Sequence, residues 1–259
     1  MQYMGGKSHI SKQISEVLNN ALSWWQEQNC QTGCRSAEFC AERERERERE
    51  RVFVSLFCGS CAVESKVDAD IKILNDKHSY LIAMWQRLQQ GWRPPYAVTK
   101  EEYYAIKANM NANPALTGFV GFGCSFGGKW FGGYAKSDKK RNYCMNSRNS
   151  VLKDLPGLQG ATFTCLDYKA VPIPDGAVVY CDPPYANTTG YSTGAFNSDE
   201  IWEYMRQLSK RCDVYISEEQ APGDFECIWE QELTRWIDRN KSNQPKKIEK
   251  LFKYKGGRM

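Results

Sequence analysis

Four short apolar runs recur along the chain: VFVSLF (52–57), IKILND (71–76), AVVYCD (177–182) and DVYISE (213–218). Apolar runs of this length without strict alternation are strands buried on both faces, and the helix-patterned segments between them impose parallel connections. The pattern predicts an α/β fold built on a mostly parallel sheet, whose ligands sit at the carboxyl ends of the strands. The helices are SKQISEVLNNALSWWQEQ (11–28), opened by Ser8 or Ser11 with Ile14, Val17, Leu18, Leu22 and Trp25 on one face; SYLIAMWQRLQQG (79–91), closed by Gly91; KEEYYAIKANMN (100–111); and SDEIWEYMRQLSKR (198–211). ATFTCLDY (161–168) adds a strand, while ECIWEQEL (226–233) and KKIEKLFKYK (246–255) read as an antiparallel hairpin at the sheet edge.

Two segments interrupt the alternation. Residues 29–51 form a polar, cysteine-bearing, low-complexity insert ending in a strict Glu-Arg alternation from Glu42 to Arg51. On a helix that alternation sets opposite charges at i,i+3 against like charges at i,i+4, so it reads as solvated chain. Residues 126–150 hold Lys129, Lys136, Lys139, Lys140, Arg141 and Arg148 against Asp138 alone, interleaved with Phe126, Trp130, Phe131, Tyr134 and Tyr143. That mixture suits a surface that meets phosphates and stacks on bases, and it equally suits a solvated loop with anchoring aromatics. The formal charge of +4 decides nothing by itself; its distribution carries the signal.

At 259 residues and 41% apolar content the chain makes one large domain or a domain with an insertion. No apolar run approaches the roughly 18 residues of a membrane span, and MQYMGGKSHI is not a secretory leader, so a cytoplasmic protein with no membrane partner is expected. Eleven cysteines are then reduced thiols, mostly in the core. Cys30, Cys34 and Cys40 lack zinc spacing, His9 and His78 stand unrelated to them, and Cys58 and Cys61 make a C-x-x-C of low specificity, so no metal is expected.

Three segments at predicted strand ends could hold a ligand. FCGSCAVE (57–64) runs from a strand into a small-residue turn at Gly59 and Ser60, which lets a ligand approach the backbone, but Cys61 and Glu64 break the dinucleotide fingerprint. Asp76 follows Gly59 by 17 residues, the distance at which an acid reaches ribose hydroxyls, and it would equally cap the next helix. GGKS (5–8) fails as a phosphate loop because its first glycine would fall on Met1. In DPPY (182–185) the prolines remove donors and fix φ, so the carboxylate of Asp182, a carbonyl and the ring of Tyr185 together suit a planar group bearing an amine. An ordinary rigid turn is the plainer alternative.

YMGGK (3–7), FVSLFCGSCAV (53–63), ILND (73–76), FTCLDY (163–168) and DPPY (182–185), in that order, resemble the Dam-like adenine-specific DNA methyltransferases, especially their phage-type members of the alpha group. The resemblance implies a Rossmann-like S-adenosylmethionine-dependent methyltransferase fold, with residues 1–95 and 151–259 as catalytic domain and 96–150 as a target-recognition insert. It implies that Tyr3, Lys7, Phe57, Cys58, Gly59, Asp76, Asp167, Tyr168 and Asp182 bind S-adenosylmethionine, Lys7 near its carboxylate. Asp182, Pro183, Pro184 and Tyr185 would be catalytic, holding a flipped adenine. Lys129, Trp130, Lys139, Lys140, Arg141 and Tyr191 would meet double-stranded DNA, with Lys246, Lys247 and Lys250 as further phosphate contacts. A cognate restriction endonuclease is an expected partner in a restriction-modification setting, and a monomer or weak dimer is expected. Cys61 departs from a glycine frequent in the family, and Gln2 stands where some relatives carry a basic residue. Cytosine-N4 or RNA-adenine methylation, and a silent DNA-binding relative, remain alternatives.

Overall fold

A computed structural model describes residues 1, 3, 5–27, 50–136, 141–183, 198–233 and 247–257, with side chains for all of these except 24–27, 198 and 247. All but two residues of the low-complexity insert lie outside this set. In chain order the elements are α1 (Ser11–Glu27), β1 (Val52–Ser55), β2 (Ile71–Asn75), α2 (Ser79–Gln89), α3 (Lys100–Ala108), α4 (Pro114–Gly123), α5 (Tyr143–Asp154), β3 (Thr162–Thr164), β4 (Val178–Cys181), α6 (Ser198–Leu208), β5 (Asp213–Glu218), β6 (Phe225–Leu233) and β7 (Lys247–Tyr254).

The strands form one seven-stranded sheet in the order β3-β2-β1-β4-β5-β7-β6. The first five are parallel to their neighbours; β7 enters antiparallel between β5 and β6. The chain thus moves outward from β1 to β3, returns to β4 on the other side of β1, and leaves a switch point between β1 and β4, where open α/β sheets bind ligands. The fold is the α/β, mostly parallel architecture with the expected C-terminal hairpin. Pairing β7 rather than β6 with β5 was not legible, because a hairpin pattern does not say which of its strands is the inner one.

Both sheet faces are covered, which is why the strands read as apolar runs. Phe53, Leu74, Val178, Tyr180 and Tyr215 pack on one face under Ile10, Ile14, Leu18 and Leu22 of the N-terminal segment and α1, with Leu81, Met84, Trp85 and Leu88 of α2. Val54, Leu56, Val179, Cys181, Val214 and Ile216 pack on the other against Ile201, Trp202, Met205 and Leu208 of α6. Six of the described cysteines, at 58, 61, 124, 144, 181 and 212, are buried free thiols; Cys165 and Cys227 are exposed. No helix among the described residues is long and apolar enough to cross a membrane.

Thr99 opens α3 with a capping box to Glu102, Asn113 caps α4 ahead of Pro114, and Asn142 caps α5. α4 is a glycine-bearing, buried helix. At Gly118 a side-chain carbon would lie 2.1 Å from the Tyr80 carbonyl oxygen of α2, and at Gly121 one would lie 2.2 Å from the Trp130 ring. Glycine there is a packing requirement: it lets α4 lie against α2. Gly118→Ala forces these helices apart, and we expect it to lower stability by about 1–3 kcal/mol in urea unfolding.

Candidate functional site

The turns after β1, β2, β3 and β4 meet on the carboxyl edge of the sheet, and Asn75 joins three of them. Its Nδ2 donates to the Leu56 and Leu166 carbonyls, each at 3.1 Å, and its Oδ1 accepts from Leu166 N–H and the Thr164 hydroxyl at 2.9 Å each. Cys58 N–H donates to the Asn75 carbonyl at 2.7 Å. Asp76 then pins the glycine turn: its Oδ2 accepts from Gly59 N–H and its Oδ1 from His78 N–H, both at 2.9 Å. It does not cap α2, where His78 takes the cap position with no side-chain bond. Burial pushes the Asp76 carboxyl upward against the pull of these two N–H groups.

Gly59 adopts φ +47°, its carbonyl accepts from the buried Trp85 indole at 3.2 Å, and a side-chain carbon there would lie 3.0 Å from the Tyr3 ring. Tyr3 therefore stacks over the turn where only glycine leaves room. Cys58 and Cys61 turn their thiols into the core, and burial raises both, Cys58 to about 11, so neither is a nucleophile at neutral pH. Cys61 itself sits at φ +53°, in the region glycine occupies without strain. Phe57 and Tyr168 form a tilted aromatic pair at 5.6 Å, and Asp167 accepts from Lys169 N–H and pairs with Lys77 at 3.4 Å.

Asp182 follows β4, directly across the switch point from the glycine turn. Lys7, 6% exposed, donates to its Oδ1 at 2.7 Å and lies 3.5 Å from Glu249 on β7. Burial opposes the Lys7 charge, but Asp182 and Glu249 outweigh it and hold the ammonium pKa above its usual value. Lys7 thus lies on the catalytic acid expected from the sequence. Pro183 is buried; Pro184, Tyr185 and Tyr191 lie outside the described residues.

Within the electrostatic reach of Asp182 is an acid that sequence reasoning did not single out for itself. Glu64, 2% exposed, accepts from the Ser55 hydroxyl at 2.8 Å. Burial pushes its pKa up to about 7; its backbone and Ser55 hydrogen bonds oppose this, and the Asp182 charge adds to it. His78 was likewise passed over. Burial lowers its pKa to about 4, its ring lies edge-on to Trp130 at 4.2 Å and to Phe122 at 4.9 Å, and its Nδ1 is buried with no hydrogen-bond partner among the described residues. In the sequence Glu64 figures only as a break in the dinucleotide fingerprint and His78 only as a rejected metal ligand.

On the insert, Lys129 and Arg141 are exposed, while Lys139 and Lys140 lie outside the described residues. Trp130 is half-buried against His78, Phe122 and Tyr80. The most exposed aromatic among the described residues is Phe126, at 73%, on a turn closed by Phe126 N–H to the Gly133 carbonyl at 2.8 Å and by Tyr103 on Ser125 at 2.7 Å. Arg148 is a packing residue: it donates to the Pro94 carbonyl at 2.9 Å and lies 3.9 Å over the Tyr96 ring.

Residues 38–114 and 127–246 match the family model of the D12 class N6 adenine-specific DNA methyltransferases. The chain is 26% identical over 181 residues to the Retron Ec67 DNA adenine methylase of Escherichia coli, an alignment covering 61% of this chain and 64% of that relative. Among solved structures, SMU.472 complexed with SAH aligns with 91% of this chain and 56% of its own, at 11% identity and a TM-score of 0.31.

The pH dependence of stability follows from Glu64. An acid with a folded pKa near 7 and an ordinary value of 4.5 binds more protons folded than unfolded between those limits. Its stabilisation is present in full below 4.5 and is lost as pH rises through 7. Glu64→Gln removes the effect, so the stability of the variant relative to the parent should rise between pH 5 and 8, by at most about 1.4 kcal/mol per pH unit. Urea unfolding at both pH values checks this.

Proposed function

The chain belongs to the D12 class N6 adenine-specific DNA methyltransferase family, and from that premise we propose that it transfers a methyl group from S-adenosylmethionine to the exocyclic N6 amine of an adenine extruded from duplex DNA. The observation that carries the reading is the carboxylate of Asp182, held by the buried Lys7 at the carboxyl end of β4, opposite the Gly59 turn. An aromatic amine is a weak nucleophile because its lone pair is delocalised into the ring. Hydrogen bonds accepted by Asp182 and by the Pro183 carbonyl localise that pair and balance charge developing on nitrogen.

The residues present fit the cofactor. Asp76 and Asp167 are acceptors suited to hydroxyl and amino donors, Phe57 and Tyr168 offer an aromatic wall, and the His78 Nδ1, two residues from Asp76, has no hydrogen-bond partner among the described residues. When bound, S-adenosylmethionine supplies an electrophilic methyl group. Tyr3 covers the glycine turn, Cys58 and Gly59 contribute backbone, and direct attack leaves no role for a protein nucleophile. Tyr185 stacks on the extruded base, offsetting an unstacking cost of about a few kcal/mol. Lys129, Arg141, Lys139 and Lys140 neutralise phosphates, and Phe126 is the aromatic best exposed to meet the opened duplex. Residues 96–150 act as the recognition insert and the remainder as the catalytic body; α5 continues through residue 154 into the latter. In a restriction-modification setting a cognate endonuclease would complete the system.

With labelled S-adenosylmethionine and adenine-containing duplex DNA, Asp182→Ala should lower transfer at least about a hundredfold, near 2.7 kcal/mol of transition-state stabilisation. Near-parental transfer, or transfer by the parent to cytosine or RNA instead, would sink the assignment. Neutralising Lys139, Lys140 and Arg141 together should reduce the slope of log K against log salt for duplex binding by up to about 3, at unchanged cofactor affinity. An unaltered slope would place the DNA on another face.

A further inference from the structure

Glu249 is 4% exposed and reaches the site from an unexpected direction. β7 runs antiparallel to β5 with Lys250 opposite Glu218, so Glu249 lies just beyond the carboxyl end of β5, on the same edge as Asp182. Neither Glu249 nor Lys7 falls within the residues matched by the family model. Glu249 Oε2 lies 3.5 Å from Lys7 Nζ, and Lys7 in turn holds Asp182 Oδ1 at 2.7 Å. The charges act on the buried Tyr180, whose hydroxyl is hydrogen-bonded to that of Ser217 at 2.9 Å, and the Asp182 charge also acts on Glu64.

A buried ammonium facing one carboxylate would form a closed neutral pair, and the electron density that Asp182 must offer to an amine would be drawn toward Lys7. A second carboxylate divides the pull of that ammonium and fixes the Nζ from the opposite side. We propose that Glu249 is a positioning residue for methyl transfer: by sharing Lys7 with Asp182 it holds the Asp182 carboxylate in place and keeps it a strong acceptor for the target amine. This rests on the function proposed above. A hairpin that caps the sheet edge thereby also acts on the reaction, through one side chain that touches no substrate.

The test is single-turnover methyl transfer to duplex DNA by the full chain, with S-adenosylmethionine and DNA affinities and melting temperature measured on the same samples. Glu249→Gln should lower the rate about ten- to a hundredfold while both affinities stay within twofold of the parent, a split that loss of a merely structural ion pair would not give. In a Lys7→Met background the same substitution should add almost nothing, because its route to Asp182 is gone. Parental rates in Glu249→Gln, or an undiminished further loss in the Lys7→Met background, overturn the inference and leave the proposed function standing. A parent that methylates no DNA overturns both. If Glu249→Gln melts below the assay temperature, Glu249→Asp takes its place, since it keeps the charge and withdraws it by one methylene: a slower rate at parental affinities supports the inference, and a parental rate overturns it.

Discussion

The carboxyl edge depends on the adjacent pair Asn75 and Asp76. Where β2 ends, backbone groups of three turns have left the ladder and need new partners in a region from which water is excluded. The Asn75 amide supplies two donors and accepts twice, satisfying the side chain completely and fixing the turns after β1 and β3 relative to each other. Asp76 adds the Gly59 N–H, so the conformation of the glycine turn is held from the neighbouring strand as well as permitted by its own glycine. Each bond contributes only about 1 kcal/mol net, but breaking the set would strand several buried polar groups at about 1–3 kcal/mol each.

A second constraint ties the insert to that edge. Because α4 carries glycine where it meets α2 and Trp130, it comes close enough to bring Phe122 against both Trp130 at 4.8 Å and Tyr3 at 4.9 Å. Tyr3 is the ring over Gly59. The contacts that seat the insert therefore also seat the cover of the turn, and a change in either is felt by the other because close-packed aromatics have no slack.

The strands, the main helices and the switch-point edge were legible because burial on both faces leaves an apolar run and parallel connection leaves a helix between runs. DPPY and the glycine turn were legible because proline and glycine change what the backbone can do. What escaped were partnerships. Asp76 looked equally like a helix cap because an Asn-Asp pair before a helix serves either purpose, and only the fold brings Gly59 N–H to it. Trp130 fell in a basic, aromatic segment that suited base stacking and anchoring equally, and only the fold brings His78, 52 residues away, and Phe122 against its ring. Lys7 read through its motif as a cofactor contact; its buried salt bridge spans 175 residues to Asp182, and no local pattern encodes such a pairing. Glu249 sat in an alternating Lys-rich strand, where a glutamate passes for a solvated letter.

The acids of the edge are held in three different ways, and the difference matters for function. Asp76 is held by backbone N–H groups, Asp182 by a buried ammonium, and Glu64 by a proton that it keeps until near neutral pH. Each device answers the same penalty, the removal of a carboxylate from water, without placing compensating cations in solvent. Salt screens exposed charges over about 8–10 Å at moderate ionic strength and buried pairs far less. Raising salt therefore acts first on exposed groups such as Lys129 and Arg141 and leaves the Lys7 pairings nearly untouched. On the proposed function, the charges that would meet a polyanion are in this way separated from those that would tune an acceptor, so the first can respond to ionic strength while the second keeps a fixed geometry.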